Sequence, residues 1–168
     1  MGLYDFTFYD LMNRNAATYG PKDAWVEVEE NRAVSFSDYK KQAEQLACGL
    51  QKSGIQKGDR IGVVGKNSLE FFLIYGAAAT LGAIVLPINW RLSADEVAYN
   101  LNDCTPKIVF ADKEFQESIE EAKAQLPSVE KYFSLGPAEG NFSDFASLLD
   151  RGDVPDPADV ATEDGFVI

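Results

Sequence analysis

The sequence predicts an α/β fold in which a parallel sheet of about four or five strands carries helices on both faces, preceded by an N-terminal helix and a β-hairpin. Short apolar runs that suit buried strands alternate with longer segments that have helical periodicity. Most of the helical segments begin at a Ser, Thr or Asn that can cap a helix N-terminus. Such alternation favours parallel strands joined by helices that cross over the sheet.

The N-terminal part of the sequence is typical of a helix followed by a hairpin. The helix is indicated by apolar residues that share one face, namely Phe8, Leu11, Met12, Ala16 and Tyr19. Thr7 and Asp10 stand at the spacing of a capping box at its start. Residues 24–28 and 33–36 then indicate two strands around a turn at residues 29–32.

Two longer helices and the first strand of the predicted sheet follow the hairpin. Ser35 opens a helix that ends at Gly54, because Gly tolerates the left-handed conformation of a helix end. Its apolar face consists of Tyr39, Ala43, Leu46, Ala47 and Leu50. Residues 60–64 form a short apolar strand. The next helix spans residues 68–81 with Asn67 as its candidate cap, and its apolar character on all sides predicts burial.

The second half of the sequence continues the alternation of strands and helices. Further strands are predicted at residues 83–88, 108–111 and 131–135. Three helices are predicted: one from the capping box of Ser93 and Glu96 to about residue 101, one over residues 115–126, and a short one bracketed by Asn141 and Asp144 that runs through Leu148. The apolar strands suit positions buried on both faces of a sheet.

The composition changes near residue 153, which divides the chain into two parts. Residues 1–152 are predicted to form one α/β subdomain. Residues 153–164 mix Asp, Glu and Pro with few apolar side chains, as a surface connector does. Residues 165–168 are predicted to begin an apolar strand that the sequence does not complete. We therefore expect that a longer protein has been cut at Ile168.

The charge and the residue types restrict the classes of function. A net charge of -12 argues against nucleic acid as a partner and disfavours an anionic membrane surface. The absence of His excludes a Ser-His-Asp triad and His-ligated zinc. The carboxylates show no paired acid–base spacing and no metal-ligand spacing, and we interpret them as solvated. We therefore expect no metal site within the sequence.

The location of the protein is predicted from its cysteines and its apolar runs. Cys48 and Cys104 are interpreted as thiols without a disulfide, which is usual for a cytoplasmic protein. The longest apolar stretch, residues 71–79, is too short to span a bilayer, and the first ten residues lack the pattern of a signal peptide. We therefore expect a cytoplasmic protein with no transmembrane segment.

Residues 62–67 place two glycines and a lysine between a strand and a helix. A phosphate-binding loop requires GxxxxGK followed by Ser or Thr, whereas Gly62 and Gly65 are too close together and Asn67 follows Lys66. Tight packing of the strand against a helix is the better interpretation of the glycines.

Residues 86–93 lie between the end of a predicted strand and the start of a capped helix. Ligands of open α/β sheets bind at that edge, and helix N-termini favour anions, so Arg91 is a candidate for holding a phosphate. The alternative for Arg91 is a surface salt bridge with Asp95 or Glu96. Trp90 is expected to be exposed or half-buried, with a role in packing or in a subunit contact.

Five segments, taken in order, resemble motifs of the superfamily of AMP-forming acyl-CoA synthetases, luciferases and adenylation domains. They are residues 34–39 (VSFSDY), similar to (L/V)(T/S)(Y/F)xEL; 54–63 (GIQKGDRIGV), similar to G(I/V)xxGDRVAI; 67–71 (NSLEF), similar to NSxEF; 81–93 (LGAIVLPINWRLS), similar to xGAVxVPLNPRLT; and 105–107 (TPK), similar to SxAK. Trp90 replaces the usual Pro. The resemblance implies that this chain has the fold of part of the N-terminal domain of an acyl-CoA synthetase.

The resemblance also implies a reaction in two steps, with ATP, Mg²⁺ and CoA used by the complete enzyme. A carboxylic acid attacks the α-phosphorus of ATP to form an acyl-adenylate and pyrophosphate, and the CoA thiol then displaces AMP. Residues 164–168 resemble the lead-in to the YTSGTTGxPKG loop that cradles the ATP phosphates in this superfamily. The isolated chain is thus expected to be inactive and to bind none of these molecules tightly.

No catalytic residue is carried over from the superfamily. Arg91, which matches the Arg of NPRL, is the candidate contact to the CoA phosphates. The resemblance identifies neither the acid nor whether the acceptor thiol belongs to CoA or to a carrier protein.

Two other functions stay open. The chain could be a standalone α/β binding module, or a structural domain that forms a homodimer through Tyr4, Phe6 and Trp90.

Overall fold

A computed structural model describes residues 6–149, 152 and 155–168, and over these residues the fold is the predicted α/β arrangement. The helices are α1 (Phe8–Tyr19), α2 (Phe36–Lys52), α3 (Leu69–Leu81), α4 (Ala94–Cys104) and α5 (Lys113–Ala122). The strands are β1 (Asp23–Glu27), β2 (Arg32–Ser35), β3 (Arg60–Val64), β4 (Ile84–Ile88), β5 (Ile108–Ala111), β6 (Lys131–Ser134) and β7 (Ser143–Asp144). Strands β1 and β2 pair as an antiparallel hairpin.

The main sheet is parallel and, within the described residues, contains five strands in the order β4-β3-β5-β6-β7. After β3 the chain adds β4 on one side and then crosses to add β5 on the other. The strand order therefore reverses between β3 and β5. Reversals of this kind are topological switch points, where the carboxyl ends of the strands leave room for a ligand.

Helices cover both faces of the sheet, and each face has its own apolar core. Helices α1, α2 and α3 pack on one face, around fully buried side chains such as Leu46, Ile74 and Phe110. Helices α4 and α5 pack on the other face, around Leu101 and Ile119. Complete burial of one such side chain stabilises a fold by about 1.5–3 kcal/mol, so these two layers hold the strand ends in place.

The starts and ends of the helices follow the predicted caps, with one correction. Thr7 begins α1 and Ser93 begins α4, each in a complete capping box. Gly82 ends α3 with φ of 66°, in the left-handed conformation that Gly tolerates. Asn67 was the predicted cap of α3, but the Phe71 N–H donates to the hydroxyl of Ser68 at 3.2 Å. The helix thus begins one residue later.

The predicted short helix through Leu148 is present as a 3₁₀ turn, but it begins after Asp144 and not at Asn141. Ser143 and Asp144 pair with β6 as a short strand, and Phe145–Leu148 form a single 3₁₀ turn. Phe145 and Leu148 are both buried in the core beneath α2. This tertiary contact decides the local conformation against the weak capping signal of Asn141 and Asp144.

The acidic segment 155–168 lies along the β4 side of the sheet. The Ala158 N–H donates to the Thr80 carbonyl at 2.9 Å, and the Val85 N–H donates to the Phe166 carbonyl at 2.8 Å. Val167 forms an isolated parallel bridge with Val85, within the residues where the sequence predicts the start of a strand. The predicted boundary at residues 152 and 153 stays a prediction, because residue 153 lies outside the described residues.

None of the helices in the described ranges combines the length and the apolar character needed to cross a membrane.

Candidate functional site

The carboxyl ends of β3, β4 and β5 lie side by side at one edge of the sheet. The residues that follow these strands are separated in sequence, yet the fold brings Lys66, Trp90 and Phe115 together. This edge includes the switch point between β3 and β5. The structure thus places Arg91 at the predicted position, between the end of β4 and the capped start of α4.

The predicted packing of β3 against a helix holds for Gly62, whereas Gly65 packs against residues that follow β5 and β6. A Cβ atom on Gly62 would lie 2.8 Å from a methyl group of Leu101. On Gly65 it would lie 2.6 Å from a methyl group of Leu135 and 2.9 Å from the Asp112 carboxylate. At both positions a larger residue would force neighbouring side chains to move, so close packing accounts for the glycines without a ligand.

Asp112 is half-buried at the end of β5 and does not fit the prediction that the carboxylates are solvated. Burial raises the pKa of Asp112 above its ordinary value, and the nearby Glu114 raises it further. The Lys66 N–H donates to the Asp112 carboxylate at 2.7 Å and opposes this shift. The sequence contained no signal for this environment, because it arises where two loops meet. Asp112 therefore ties the loop after β3 to the end of β5.

Trp90 is half-buried and lies beneath two cations. The guanidinium carbon of Arg91 lies 4.1 Å from the centroid of the Trp90 ring, and the Lys66 ammonium nitrogen lies 5.2 Å from it. The Phe115 ring is 6.4 Å away, between centroids. Trp90 thus packs as predicted, although the sequence interpretation did not include its contact with Lys66.

The alternative of a salt bridge from Arg91 to Asp95 or Glu96 is wrong for the part of the chain that the structure describes. Glu96 instead accepts hydrogen bonds from the Ser93 N–H and hydroxyl, at 2.9 and 2.8 Å. Arg91 is exposed and pairs with no carboxylate among residues 6–149, 152 and 155–168. Its guanidinium therefore keeps its hydrogen-bond donors for another partner.

Lys66 differs from Arg91 because it already has an ion pair. Its ammonium lies 2.6 Å from the Glu114 carboxylate, and the two side chains are 53% and 51% exposed. The Glu114 hydrogen bond raises the pKa of Lys66, so this side chain stays cationic at neutral pH. Solvent and salt screen an ion pair between exposed side chains, so an incoming anion competes easily for this lysine.

Two cavities lie beside this edge and differ in charge. One of about 300 Å³ lies between α3 and the end of β4, and aromatic side chains line much of it: Phe71, Phe72, Tyr75 and Trp90. The other, of about 710 Å³, lies at the ends of β5 and β6 and is lined by Glu114, Glu117, Glu120 and Glu139. The acidic cavity repels anions, so an anionic ligand fits the side of Trp90.

Among the described residues, no group of three or more Cys, Asp or Glu is arranged to hold a metal ion. We therefore assign no residue to Mg²⁺.

Comparisons with known proteins give a consistent result. The model of a family described as AMP-binding enzyme matches residues 12–164. A 4-hydroxybenzoate–CoA/benzoate–CoA ligase of Rhodopseudomonas palustris is 30% identical over 141 residues, which cover 83% of this chain and 26% of that protein. The long-chain-fatty-acid–CoA ligase FadD13 of Mycobacterium tuberculosis is 36% identical over 115 residues, covering 68% of this chain and 23% of that protein.

Solved structures show the same similarity. A protein assigned as a long-chain-fatty-acid CoA ligase from Rhodopseudomonas palustris superposes with a TM-score of 0.91 at 34% identity, over 99% of this chain and 42% of that one. The N-terminal domain of FACL13 from Mycobacterium tuberculosis superposes with a TM-score of 0.84 at 25% identity, over 96% and 40%. The chain spans about a quarter of the length of the curated relatives that it matches.

Proposed function

The chain belongs to the family of AMP-binding enzymes, and from this membership we propose that it forms the N-terminal part of an ATP-dependent ligase that joins a carboxylic acid to the thiol of CoA. The observation that carries the proposal is the family match over residues 12–164. The names of its relatives, which include benzoate–CoA and long-chain-fatty-acid–CoA ligases, support CoA as the acceptor.

The proposed reaction has two steps and uses ATP and CoA as substrates. A carboxylate oxygen of the acid attacks the α-phosphorus of ATP, which releases pyrophosphate and leaves an acyl-adenylate. The CoA sulfur then attacks the acyl carbon and AMP leaves. The described residues contain no general base or nucleophile assigned to either step. This part of the protein contributes the scaffold and the sheet edge that CoA approaches.

Arg91 is the residue proposed to bind CoA. It is exposed, unpaired among the described residues, and held over the Trp90 ring at the carboxyl edge of the sheet. A guanidinium in this setting suits a phosphate, because its parallel N–H groups match two phosphate oxygens. The family's NPRL motif, with which Arg91 aligns, further supports this role.

The location and the assembly state are also proposals. A cytoplasmic location stays a prediction from the sequence. A homodimer contact through Phe6 and Trp90 stays a prediction, and the third residue of that hypothesis, Tyr4, lies outside the described residues.

The proposal is tested with the complete gene product and a panel of aromatic and aliphatic carboxylic acids. We expect acid-dependent exchange of pyrophosphate into ATP and formation of a CoA thioester, whereas the 168-residue chain alone should give neither. Turnover by the purified chain alone, or a complete protein that adenylates no acid, would contradict it.

The role of Arg91 is tested by Arg91→Ala in the complete protein. We expect the KM for CoA to rise about tenfold, as the loss of one charge-assisted contact implies, while pyrophosphate exchange is retained. Arg14→Ala is the matched control, because Arg14 also lies over an aromatic ring, 4.9 Å from the centroid of Phe6. An unchanged KM for CoA in the Arg91 variant would reject this role.

A further inference from the structure

Lys66 and Arg91 place two positive charges against one indole ring. They follow adjacent parallel strands, β3 and β4, so the sheet itself brings them together at its carboxyl edge. Their charged groups lie 5.2 and 4.1 Å from the Trp90 ring centroid. In a chain of net charge -12, a local pair of cations requires a specific explanation. Paired cations at the edge where ligands of α/β sheets bind indicate an anionic ligand.

Trp90 gives this pair a common support. The face of an indole ring is the strongest aromatic attractor of cations, and Arg stacks on it with its N–H edge directed outward. The contact with Trp90 therefore holds the Arg91 guanidinium in place without using its hydrogen-bond donors. A Pro, which is the usual residue at this place in the NPRL motif, has no ring face for such a contact.

The acidic groups around the pair leave it available to a ligand. Glu96 is occupied by the cap of α4. Asp112 accepts the backbone N–H of Lys66, at 2.7 Å, and has no ion pair with the Lys66 ammonium among the described residues. Glu114 pairs with Lys66 in an exposed contact that solvent and salt weaken. A phosphate, with up to two charges, displaces a single carboxylate from such a pair.

We propose that Lys66 is a second residue that binds a phosphate of CoA, and that Lys66 and Arg91 together form a two-cation subsite. Trp90 is the positioning residue that holds both cations. The proposal rests on the proposed function, because Arg91 defines where the CoA phosphates lie. The ligand groups are the phosphates at the nucleotide end of CoA. Glu114 then acts as a competitor that holds Lys66 in the absence of CoA.

The test measures the Kd of CoA by calorimetry in the complete protein carrying Lys66→Met, which keeps the apolar stem and removes the charge. We expect the Kd to rise about fivefold to tenfold. Lys113→Met is the matched control, because Lys113 is also exposed and lies 2.6 Å from a carboxylate, that of Glu139. Its Kd should stay within about twofold of wild type. Glu114→Gln should lower the Kd.

Dephospho-CoA, which lacks the 3′-phosphate, distinguishes the phosphate that Lys66 contacts. If the effect of Lys66→Met disappears with dephospho-CoA, Lys66 contacts the 3′-phosphate; if it persists, Lys66 contacts the pyrophosphate. Either result supports the subsite. A Kd for CoA within twofold of wild type in Lys66→Met, when Arg91→Ala weakens binding, would overturn this inference alone. If neither Lys66→Met nor Arg91→Ala changes the Kd of CoA, the proposed CoA site is overturned as well.

The positioning role of Trp90 is tested by comparing two substitutions that both remove the indole. Trp90→Phe keeps a ring face for the cations, and Trp90→Leu keeps only apolar volume. We expect Trp90→Leu to weaken CoA binding about fivefold and Trp90→Phe to restore most of that affinity, at the same melting temperature in both variants. Equal CoA affinities in the two variants would overturn the positioning role.

Discussion

The Asp112 carboxylate accepts a hydrogen bond of 2.7 Å from the backbone N–H of Lys66, and this contact joins the loop after β3 to the end of β5. Burial is the largest cause that raises the pKa of Asp112, and Glu114 adds to it. The Lys66 N–H favours the charged form and opposes the shift. The switch point of the sheet therefore holds a carboxylate whose ionisation is unfavourable for folding.

The pH dependence of stability should reveal this carboxylate. A raised native pKa means that the folded state binds the proton more readily than the unfolded state. The contribution of Asp112 to stability is thus fully present below its ordinary pKa and is lost as the pH rises through the native pKa. Asp112→Asn removes the titration and keeps an oxygen acceptor for the Lys66 N–H.

We expect the free energy of unfolding of Asp112→Asn to increase relative to that of wild type as the pH rises above about 4, the ordinary pKa of Asp, because only wild type then loses the contribution of the protonated carboxyl group. Urea unfolding at several pH values measures this difference. Asp156→Asn is the control, because Asp156 is exposed in the acidic segment. A difference that does not vary with pH would show that Asp112 is better solvated than its position indicates.

A second prediction concerns the contact between α2 and the 3₁₀ turn at Phe145–Leu148. A Cβ atom on Gly49 would lie 2.7 Å from the carbonyl carbon of Leu148 and closer still to its oxygen. Because backbone atoms cannot move aside as a flexible side chain can, Gly49→Ala should destabilise the fold by about 2–3 kcal/mol. That loss lowers the melting temperature by roughly 4–12 °C in a chain of this size.

Gly136→Ala is the matched control for Gly49→Ala. A Cβ atom on Gly136 would meet no atom within 4 Å, so its effect should stay within about 0.5 kcal/mol. Equal melting temperatures for the two variants would mean that the 3₁₀ turn moves readily away from α2.

The third prediction concerns the ion pair that fixes the hairpin to α3. The Arg32 guanidinium donates to both oxygens of Glu70, at 2.7 and 2.9 Å, and also to Glu27 at 2.6 Å. The Arg32 and Glu70 side chains are 43% and 21% exposed, so solvent screens the pair. A double-mutant cycle with Arg32→Met and Glu70→Gln should give a coupling of about 0.5–1 kcal/mol that falls at high salt. A coupling independent of salt would contradict this origin.

The sequence predicts the fold well where a structural feature depends only on residues that are close together in the sequence. The caps of Thr7 and Ser93, and the positive φ of Gly54 after α2, depend on the residue type and its immediate neighbours, and all three are confirmed. The five strands of the sheet also follow from short apolar runs, apart from β7. Its residues, Ser143 and Asp144, are both exposed and carry no apolar pattern.

The site is less predictable, because it depends on which loops meet. The sequence places Arg91 at the end of a strand, and the structure agrees, while its role in binding stays a prediction. The contact of Lys66 with Trp90 joins the ends of β3 and β4, and it cannot be predicted from the periodicity of either segment. The choice between Asn67 and Ser68 as a cap likewise depends on the path of the loop after β3, since both residue types are good caps.

The last prediction concerns how strongly the acidic segment, residues 155–168, is bound to the rest of the fold. Gly82 has φ of 66°, and a Cβ atom there would lie 2.9 Å from Cγ of Lys57, whose stem is flexible, 3.0 Å from Val160 and 3.2 Å from Ala158. Gly140 has φ of 61°, but a Cβ atom there would meet nothing within 4 Å. Gly140→Ala therefore measures the cost of the left-handed backbone alone, about 1–2 kcal/mol.

Gly82→Ala should cost more than Gly140→Ala by about 1–2 kcal/mol in urea unfolding, because it also pushes against the acidic segment. The segment cannot retreat freely, since Lys57 donates to the Asp159 carbonyl at 2.6 Å and pairs with Asp164 at 2.8 Å. Adding Lys57→Met to Gly82→Ala should remove part of the excess, as the segment then moves away from the new methyl group. Equal losses for the two glycine variants would mean that residues 158–160 leave the end of α3 at little cost. In that case the bridge between Val85 and Val167 would not depend on the preceding segment being held in place.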